Sequence, residues 1–451
     1  MDCAVHGILE TREIKQGIME KLTMIFPLST SRDPAGRMSI AGHSLCDLAD
    51  QFGTPLYIYD AETIHAQVKA LRDILASLYP GKAEVAYAAK AYFSLGMARR
   101  LNALGLSLDV VSQGELSVAQ QAGFLPERVH LHGNNKSRDE LNFAITWGVQ
   151  AVVVDSLEEL EYINRLAVEL DKTVRIWLRI TPGVEVDTHP YRQTAHLGSK
   201  FGLPIQGGSA AQGIRRASML SHLQLTGLHT HLGSQIFDPE PFRRSVKMLI
   251  ELADEIGFVP EELSPGGGWG VPYTLDDKDG DPRPWLMAVC QEVQEQYSKR
   301  GWKLPKLVLE PGRWLVARAG VAVYTVGTEK ITADNTHILA VDGGLADNPR
   351  PALYHANYTA CIAESPDAEP TQSVRVVGKF CESGDELIHA VDLPEVKRGD
   401  HLVMPVAGAY QLSMASNYNL AARPAVLWLE NGRVELLQRR IEAFEDPWWS
   451  G

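Results

Sequence analysis

Lys90 closes the apolar run "VAYAAK" (Val85–Lys90). A lysine at the end of a buried strand is unfavourable unless it is used. Desolvation depresses its pKa and makes the amine a nucleophile toward a carbonyl. A lysine that simply reaches solvent is the plainer reading of the same position. Far along the chain stand further candidates. "THLGSQ" places His231 and Ser234 in one loop, "PGGGWG" (Pro265–Gly270) holds three consecutive glycines, and "EPGR" sets Glu310 and Arg313 at the end of another apolar run. A histidine ring can stack on an aromatic ring, and a serine hydroxyl can donate to phosphate. Glycines let backbone N–H groups approach an anion. An acid can pair with a protonated ring nitrogen, and arginine suits a carboxylate or phosphate. Taken singly, these fit a core histidine, a turn or an ordinary ion pair. Together, an amine for an imine, an acid for a pyridinium, a stacking ring and phosphate donors describe pyridoxal phosphate. There is no Walker motif, no G-x-G-x-x-G after a strand and no H-E-x-x-H spacing, so no metal is expected.

Something must bring these residues together. From about Pro55 to Arg313 short apolar runs alternate with helical stretches. After "VAYAAK" come "LDVVS" (Leu108–Ser112), "VHLHGN" (Val129–Asn134), "AVVVDS" (Ala151–Ser156), "VRIWLRI" (Val174–Ile180), "LTGLHTHLGS" (Leu225–Ser234), a run ending in "SPGGG" and "KLVLEPGR" (Lys306–Arg313). Eight such units in some 260 residues predict a (β/α)8 TIM-type barrel of parallel strands. Its active-site face is at the C-terminal strand ends, where Lys90, Asp109, His132, Asn134, His229, His231, Ser234, the glycines, Glu310 and Arg313 all fall. Ser137 with Glu140, and Ser156 with Glu159, read as capping boxes directly after strands, and Gly123 reads as a helix C-terminal cap. After Arg313 the pattern turns to strands and hairpins, with "ENGR" (Glu430–Arg433) as a turn signal. This predicts an α/β plus β chain: an extension over 1–23, a segment over 24–54 that contributes to a discontinuous C-terminal β-sandwich or β-barrel domain, the barrel over 55–317 and the rest of the β domain over 318–451.

The net charge of −13 is spread along the 451 residues, which disfavours nucleic acid as a partner. No apolar stretch approaches the roughly 20 residues that span a bilayer. Acids and bases interrupt the first 23 residues, so they do not read as a signal peptide; a helix or a disordered extension is expected there. Five widely spaced cysteines with no C-x-x-C read as reduced thiols in a cytoplasmic protein. One of them, Cys381, sits in "FCESGD" (Phe380–Asp385), among polar residues where a loop is expected; read alone it is an idle thiol.

The segments "YAAKA", "LDVVSQGEL", "HGNNKS", "DSLEEL", "KFG", "THLGSQ", "GGGWGVPY", "EPGR", "VDGGLADNPRPALY", "CESGD" and "GAYQLSMASNYN", in this order, resemble the fold-type III pyridoxal-phosphate-dependent decarboxylases, and among them the diaminopimelate-specific branch. The resemblance runs from about Phe26 to Arg440. It implies that Lys90 carries the cofactor, that His231 stacks on its ring and that Glu310 keeps the ring nitrogen protonated. Ser234, Gly267, Gly268, Gly312, Arg313 and Tyr410 are implied around the cofactor, with Asp109 as support. Arg313, Arg350, Tyr354 and Tyr410 are implied at the substrate, Arg313, Arg350 and Tyr354 on the carboxylate that does not react. Glu382 is implied to receive the distal ammonium, and Cys381 to deliver a proton. In that family Cys381 and Glu382 come from a partner subunit, which implies an obligate homodimer with shared sites.

Two positions depart from the family pattern: Tyr92, where many relatives have asparagine, and Thr194-Ala195, where they have Thr-Gly. Other readings are a decarboxylase of ornithine, arginine, lysine or a D-amino acid, a racemase on the same fold, and a non-catalytic regulatory homologue. Loss of the distal arginines would favour another decarboxylase, absence of "CESGD" a racemase, and loss of Lys90 or Cys381 the regulator.

Overall fold

A computed structural model describes residues 24–185 and 198–445. The expected extension over 1–23 and the Thr194-Ala195 departure lie outside them. The chain forms two compact units. Of the described residues, one comprises those within 67–270 and 280–315; the other comprises 24–66, 271–279 and 316–445.

The first unit is a closed barrel of eight parallel strands: β1 (Ala83–Ala88), β2 (Ser107–Val110), β3 (Val129–Leu131), β4 (Ala151–Val154), β5 (Val174–Thr181), β6 (Leu223–His229), β7 (Glu262–Gly266) and β8 (Lys306–Leu309). Each pairs with the next, and β8 closes the ring on β1 through Leu307 opposite Ala83. Strands β2, β3 and β4 are buried along their whole length, as parallel strands enclosed by helices must be. All eight apolar runs of the sequence map onto these strands.

The strand-to-helix turns are set by serines. Ser112 accepts from Glu115 N, and Ser137 forms a full capping box with Glu140. Ser156 accepts from Glu159 N, but the Glu159 carboxylate reaches Asp155 N at 2.7 Å rather than closing the box. The buried Lys136 ammonium takes the other Glu159 oxygen at 2.9 Å, and it also donates to the carbonyls of Gly133 and Val153. One lysine thereby ties together the ends of β3 and β4.

Ala86, Ala151, Val153, Trp177 and Val308 pack inside the barrel. Beneath them the Glu262 carboxylate accepts from Trp177 Nε1 at 2.9 Å, Thr226 Oγ1 at 3.0 Å, Arg175 Nη2 at 3.1 Å and Gln150 Nε2 at 2.7 Å. Lys306 Nζ lies 3.3 Å away. Burial alone would push Glu262 up, but the Trp177 N–H, Lys306 and Arg175 outweigh it and hold the acid down at about 2.

The second unit is organised by one long strand, Gly320–Ile331. Its first half pairs with Leu56–Asp60 and with His401–Met404, its second half with His337–Val341. Gln372–Val377 and Glu386–Leu393 extend the sheet on one side, Ala425–Glu430 and Arg433–Gln438 on the other. Asn431 and Gly432 both take positive φ in the expected hairpin turn. The expected barrel start at residue 55 needs correction. Leu56–Asp60 is a strand of this β sheet, antiparallel to Gly320–Val323 and parallel to Ala425–Leu429. It stood outside the eight runs read as barrel strands, so only the boundary moves.

Candidate active site

The strand ends of the barrel bring the first set of candidates together. Lys90 lies on the single 3-10 turn Ala89–Ala91 that follows β1. The Tyr87 hydroxyl locks this turn by donating to Tyr92 O at 2.7 Å and accepting from Tyr92 N at 3.2 Å. Tyr92 is thus a backbone anchor for the lysine turn. The expected desolvation of Lys90 is not found in the single chain: the side chain is exposed, because the strand ends at Ala88 and the turn lifts it out of the barrel. Its charge still acts on Asp109, His229 and His231.

Glu310 is the centre of the cluster. His229 Nε2 donates to Glu310 Oε2 at 2.9 Å and Ser264 Oγ to Oε1 at 2.8 Å. Burial drives the His229 pKa well below the ordinary range and that of His132 down to about 3, so both rings are neutral. Burial pushes the Glu310 carboxyl up. His132 Nε2 stands 3.6 Å from both Glu310 and Asp109. His231 Nδ1 accepts from Gly267 N at 3.4 Å, and Arg313 Nη2 donates to Ser234 Oγ at 3.0 Å.

The glycines are sterically required. A Cβ on Gly267 would meet Glu310 O at 2.1 Å, and one on Gly268 would meet Gly233 O at 1.9 Å. The "GGG" segment is therefore pressed between the ends of β6 and β8. Gly312 packs against Ala88 and Ala91, beside the lysine turn.

Arg350, Tyr354, Cys381, Glu382 and Tyr410 belong to the β unit. Here three distant motifs form one knot. The Asp385 carboxylate, 4% exposed, accepts from Leu345 N at 2.6 Å and Phe380 N at 2.8 Å. Cys381 N donates to Asn419 Oδ1 at 3.2 Å, and Ser416 N to Ala346 O at 2.8 Å. The Cys381 and Glu382 side chains themselves are exposed. Tyr410 takes a left-handed φ of 61°, a conformation that persists in a non-glycine residue only where the surroundings enforce it. Arg350 opens the short helix Arg350–Tyr354 and is 1% exposed. Its guanidinium lies 4.5 Å from the Tyr273 ring centroid and 5.4 Å from that of Tyr358, and it donates to the Tyr358 hydroxyl. Among the described residues no carboxylate pairs with it, and its Nε has no partner.

Residues 61–317 match the family described as the pyridoxal-dependent decarboxylase, pyridoxal binding domain. The chain is 43% identical to diaminopimelate decarboxylase from Bacillus subtilis (strain 168), over 94% of this chain and 97% of that one. It is 38% identical to diaminopimelate decarboxylase from Mycobacterium tuberculosis (strain H37Rv), over 92% and 95%. The chain belongs to the pyridoxal-dependent decarboxylase family. A crystal structure of diaminopimelate decarboxylase from M. jannaschii in complex with L-lysine superposes with a TM-score of 0.87 at 32% identity, covering 94% of this chain and 97% of that one.

The barrel mouth fits the cofactor that gives this family its name. Asp109 Oδ1, His132 Nε2 and His229 Nδ1 are buried there without a hydrogen-bond partner among the described residues, which is what a polar group bound in their midst would relieve. The glycine segment leaves no room for side chains where backbone donors are needed.

Several residues of the site were not singled out from sequence. Arg179 of β5 stands 3.9 Å from Asp155, lies over the Phe201 ring and acts on Asp109 and Glu310. Its signal was present: Arg175 and Arg179 interrupt an otherwise apolar buried strand on one face, one toward the floor and one toward the mouth. Ser264, Tyr273, Tyr358 and Gln411 carried no such signal. Among the described residues Cys46, Cys290, Cys361 and Cys381 are free thiols, and no helix is long and apolar enough to cross a membrane.

Proposed function

We propose that this chain decarboxylates meso-2,6-diaminopimelate to L-lysine and CO2, the last step of lysine biosynthesis, with pyridoxal phosphate as cofactor. When bound, the cofactor supplies an electron sink for the carbanion left by loss of CO2. The chain's own residues do the rest. Lys90 would hold the cofactor through its side-chain amine. His231 stacks on the ring, with Asp109 as support. Backbone donors of Gly267, Gly268 and Gly312, with Ser234, Arg313 and Tyr410, hold the phosphate. Glu310, fixed by His229 and Ser264, would pair with the ring nitrogen. A carboxyl raised by burial is returned to its ionised form by a cation placed against it, so Glu310 and the protonated ring favour one another. Cys381 Sγ gives the proton that replaces CO2.

The observation that carries the substrate reading is Arg350. A buried guanidinium held by two tyrosines and, among the described residues, by no acid needs an anion. Diaminopimelate keeps a carboxylate and an ammonium at the end that does not react. Arg313, Arg350 and Tyr354 hold that carboxylate, Glu382 receives the ammonium, and Tyr410 lines the substrate as well as the phosphate. Ornithine or lysine as substrate would leave the arginines unpaired in a closed site, which is strongly unfavourable. CO2 release from meso-diaminopimelate, L-lysine and L-ornithine, compared side by side, tests this; faster turnover of ornithine would sink it.

The working form is a cytoplasmic homodimer in which Cys381 and Glu382 serve the partner's Lys90. The support is that both side chains are exposed while their backbone is pinned. Mixing inactive Lys90→Ala and Cys381→Ala proteins in equal amounts should restore about a quarter of wild-type activity, because half the dimers are hybrids with one complete site of two. No recovery would rule out the shared site.

A further inference from the structure

The Arg350 guanidinium is held in an unusual way for a cation 1% exposed. An acid partner would neutralise it and compete with any ligand anion. The chain instead surrounds it with neutral groups. Tyr273 and Tyr358, 5% and 3% exposed, meet edge to face at 90° with centroids 5.2 Å apart, and the guanidinium lies against both rings. Ring faces stabilise a cation without cancelling its charge. The Tyr358 hydroxyl accepts from Arg350 Nη1 and, at 3.0 Å, from Gln411 Nε2. Gln411 is 0% exposed, so the hydroxyl is held from behind and cannot swing. Burial works against the charge, but the two tyrosines more than offset it, and the Arg350 pKa stands above its ordinary value. The charge is kept, its plane is fixed and Nε is left without a partner among the described residues.

We propose that Tyr273, Tyr358 and Gln411 are positioning residues that fix the Arg350 guanidinium for the carboxylate the ligand retains, and that they thereby set the preference for a ligand with a carboxylate at that end. This rests on the reading of Arg350 given above. The three come from distant parts of the β unit: the 271–279 segment, the stretch after helix Arg350–Tyr354 and the segment after Tyr410. Substrate choice is thus shared among residues that do not themselves contact the substrate. They act through orientation, so their loss should weaken ligands that carry the carboxylate and spare those that lack it.

L-lysine and cadaverine (1,5-diaminopentane) form the probe pair. They have the same carbon chain and amines, and only L-lysine has the carboxylate. Calorimetric titration of the holoenzyme with each gives two affinities per variant. Tyr358→Phe, which keeps the ring and removes the hydroxyl, should weaken L-lysine about tenfold and leave cadaverine within about twofold. Gln411→Met should weaken L-lysine by a smaller factor in the same direction. If both ligands weaken together, or neither does, in both variants, the positioning role is overturned. Arg350→Gln separates this from the parent reading. If L-lysine still binds that variant as tightly as wild type, Arg350 does not hold the carboxylate and the parent reading falls. If Arg350→Gln loses L-lysine selectively while Tyr358→Phe and Gln411→Met do not, only the positioning role fails.

Discussion

Glu262 and Glu310 are two buried acids of one barrel, 4% and 5% exposed, standing on neighbouring strands at its opposite ends. At the floor, Glu262 has an indole, a hydroxyl, an amide, a guanidinium and an ammonium around it, and its pKa is held at about 2. At the mouth, Glu310 has, among the described residues, a neutral imidazole and a hydroxyl as donors, its pKa is raised by burial, and three neighbouring polar atoms have no hydrogen-bond partner among those residues. Glu262 itself is fully satisfied and adds stability, although Glu84 Oε1, Arg175 Nε and both His130 ring nitrogens near it have no hydrogen-bond partner among the described residues. The mouth is incomplete by design of its residues and adds reactivity. The C-terminal strand ends of such a barrel serve chemistry and the other end serves the fold; here the division can be read from how two carboxylates are satisfied.

The sharpest way to break this contrast is at the mouth. Lys90→Ala should lower turnover by roughly four orders of magnitude or more, and the absorbance band at the visible edge of the ultraviolet should vanish with no change in thermal unfolding. A surviving band would remove Lys90 from its role. Glu310→Gln should lower kcat about 100- to 1000-fold. It should leave the unfolding midpoint in denaturant unchanged or higher, because a neutral amide suits that buried position better than a charge. A large loss of stability would mean that Glu310 belongs to the fold after all.

At the floor the pattern should invert. Glu262→Gln should destabilise the protein by about 2 kcal/mol in chemical denaturation, since the buried Trp177 Nε1 and Thr226 Oγ1 lose a charged acceptor while Lys306 keeps Glu84 at 2.6 Å, and kcat should stay within about twofold. The depressed pKa also sets a pH window. An acid held at about 2, against about 4.3 unfolded, contributes stability that is full above pH 4.3 and is lost as the pH falls toward 2. Wild type should lose stability across that window, and Glu262→Gln should lose less. The smallest effect is expected for Ser264→Ala, which removes one neutral donor from Glu310: about a three- to tenfold fall in kcat, with KM for meso-diaminopimelate little changed. An equal rise in KM would place Ser264 at the substrate instead.

Much of the molecule was legible because local rules and the fold agree. β-branched runs, Ser-x-x-Glu starts and glycine ends marked the eight strands and their turns, and the barrel rule then placed Lys90, His231, Glu310 and Arg313 on one face. The boundary drawn at residue 55 cut through Leu56–Asp60, a strand of the β unit that stood outside the eight barrel runs. Lys90 was expected to be desolvated because its strand was read one turn too long. Ser264, Tyr358 and Gln411 stayed hidden for another reason. Their types are ordinary, and only tertiary proximity gives them a task. Tyr92, flagged from sequence as a departure, is an anchor whose backbone carries the interaction.

The Asp385 knot has a consequence for anyone who would move this chemistry to another protein. The turn before Arg350, the Cys381 loop and the stretch around Asn419 are joined by Asp385, by the Ser416–Ala346 bond and by Asn419 itself. A graft of "CESGD" alone would leave the buried Asp385 carboxylate without its Leu345 donor and the thiol without its Asn419 support. The transferable module is therefore three discontinuous segments spanning some 75 residues of sequence, running from about Gly344 to Leu420, and homologous exchange is expected to succeed only when all three cross together.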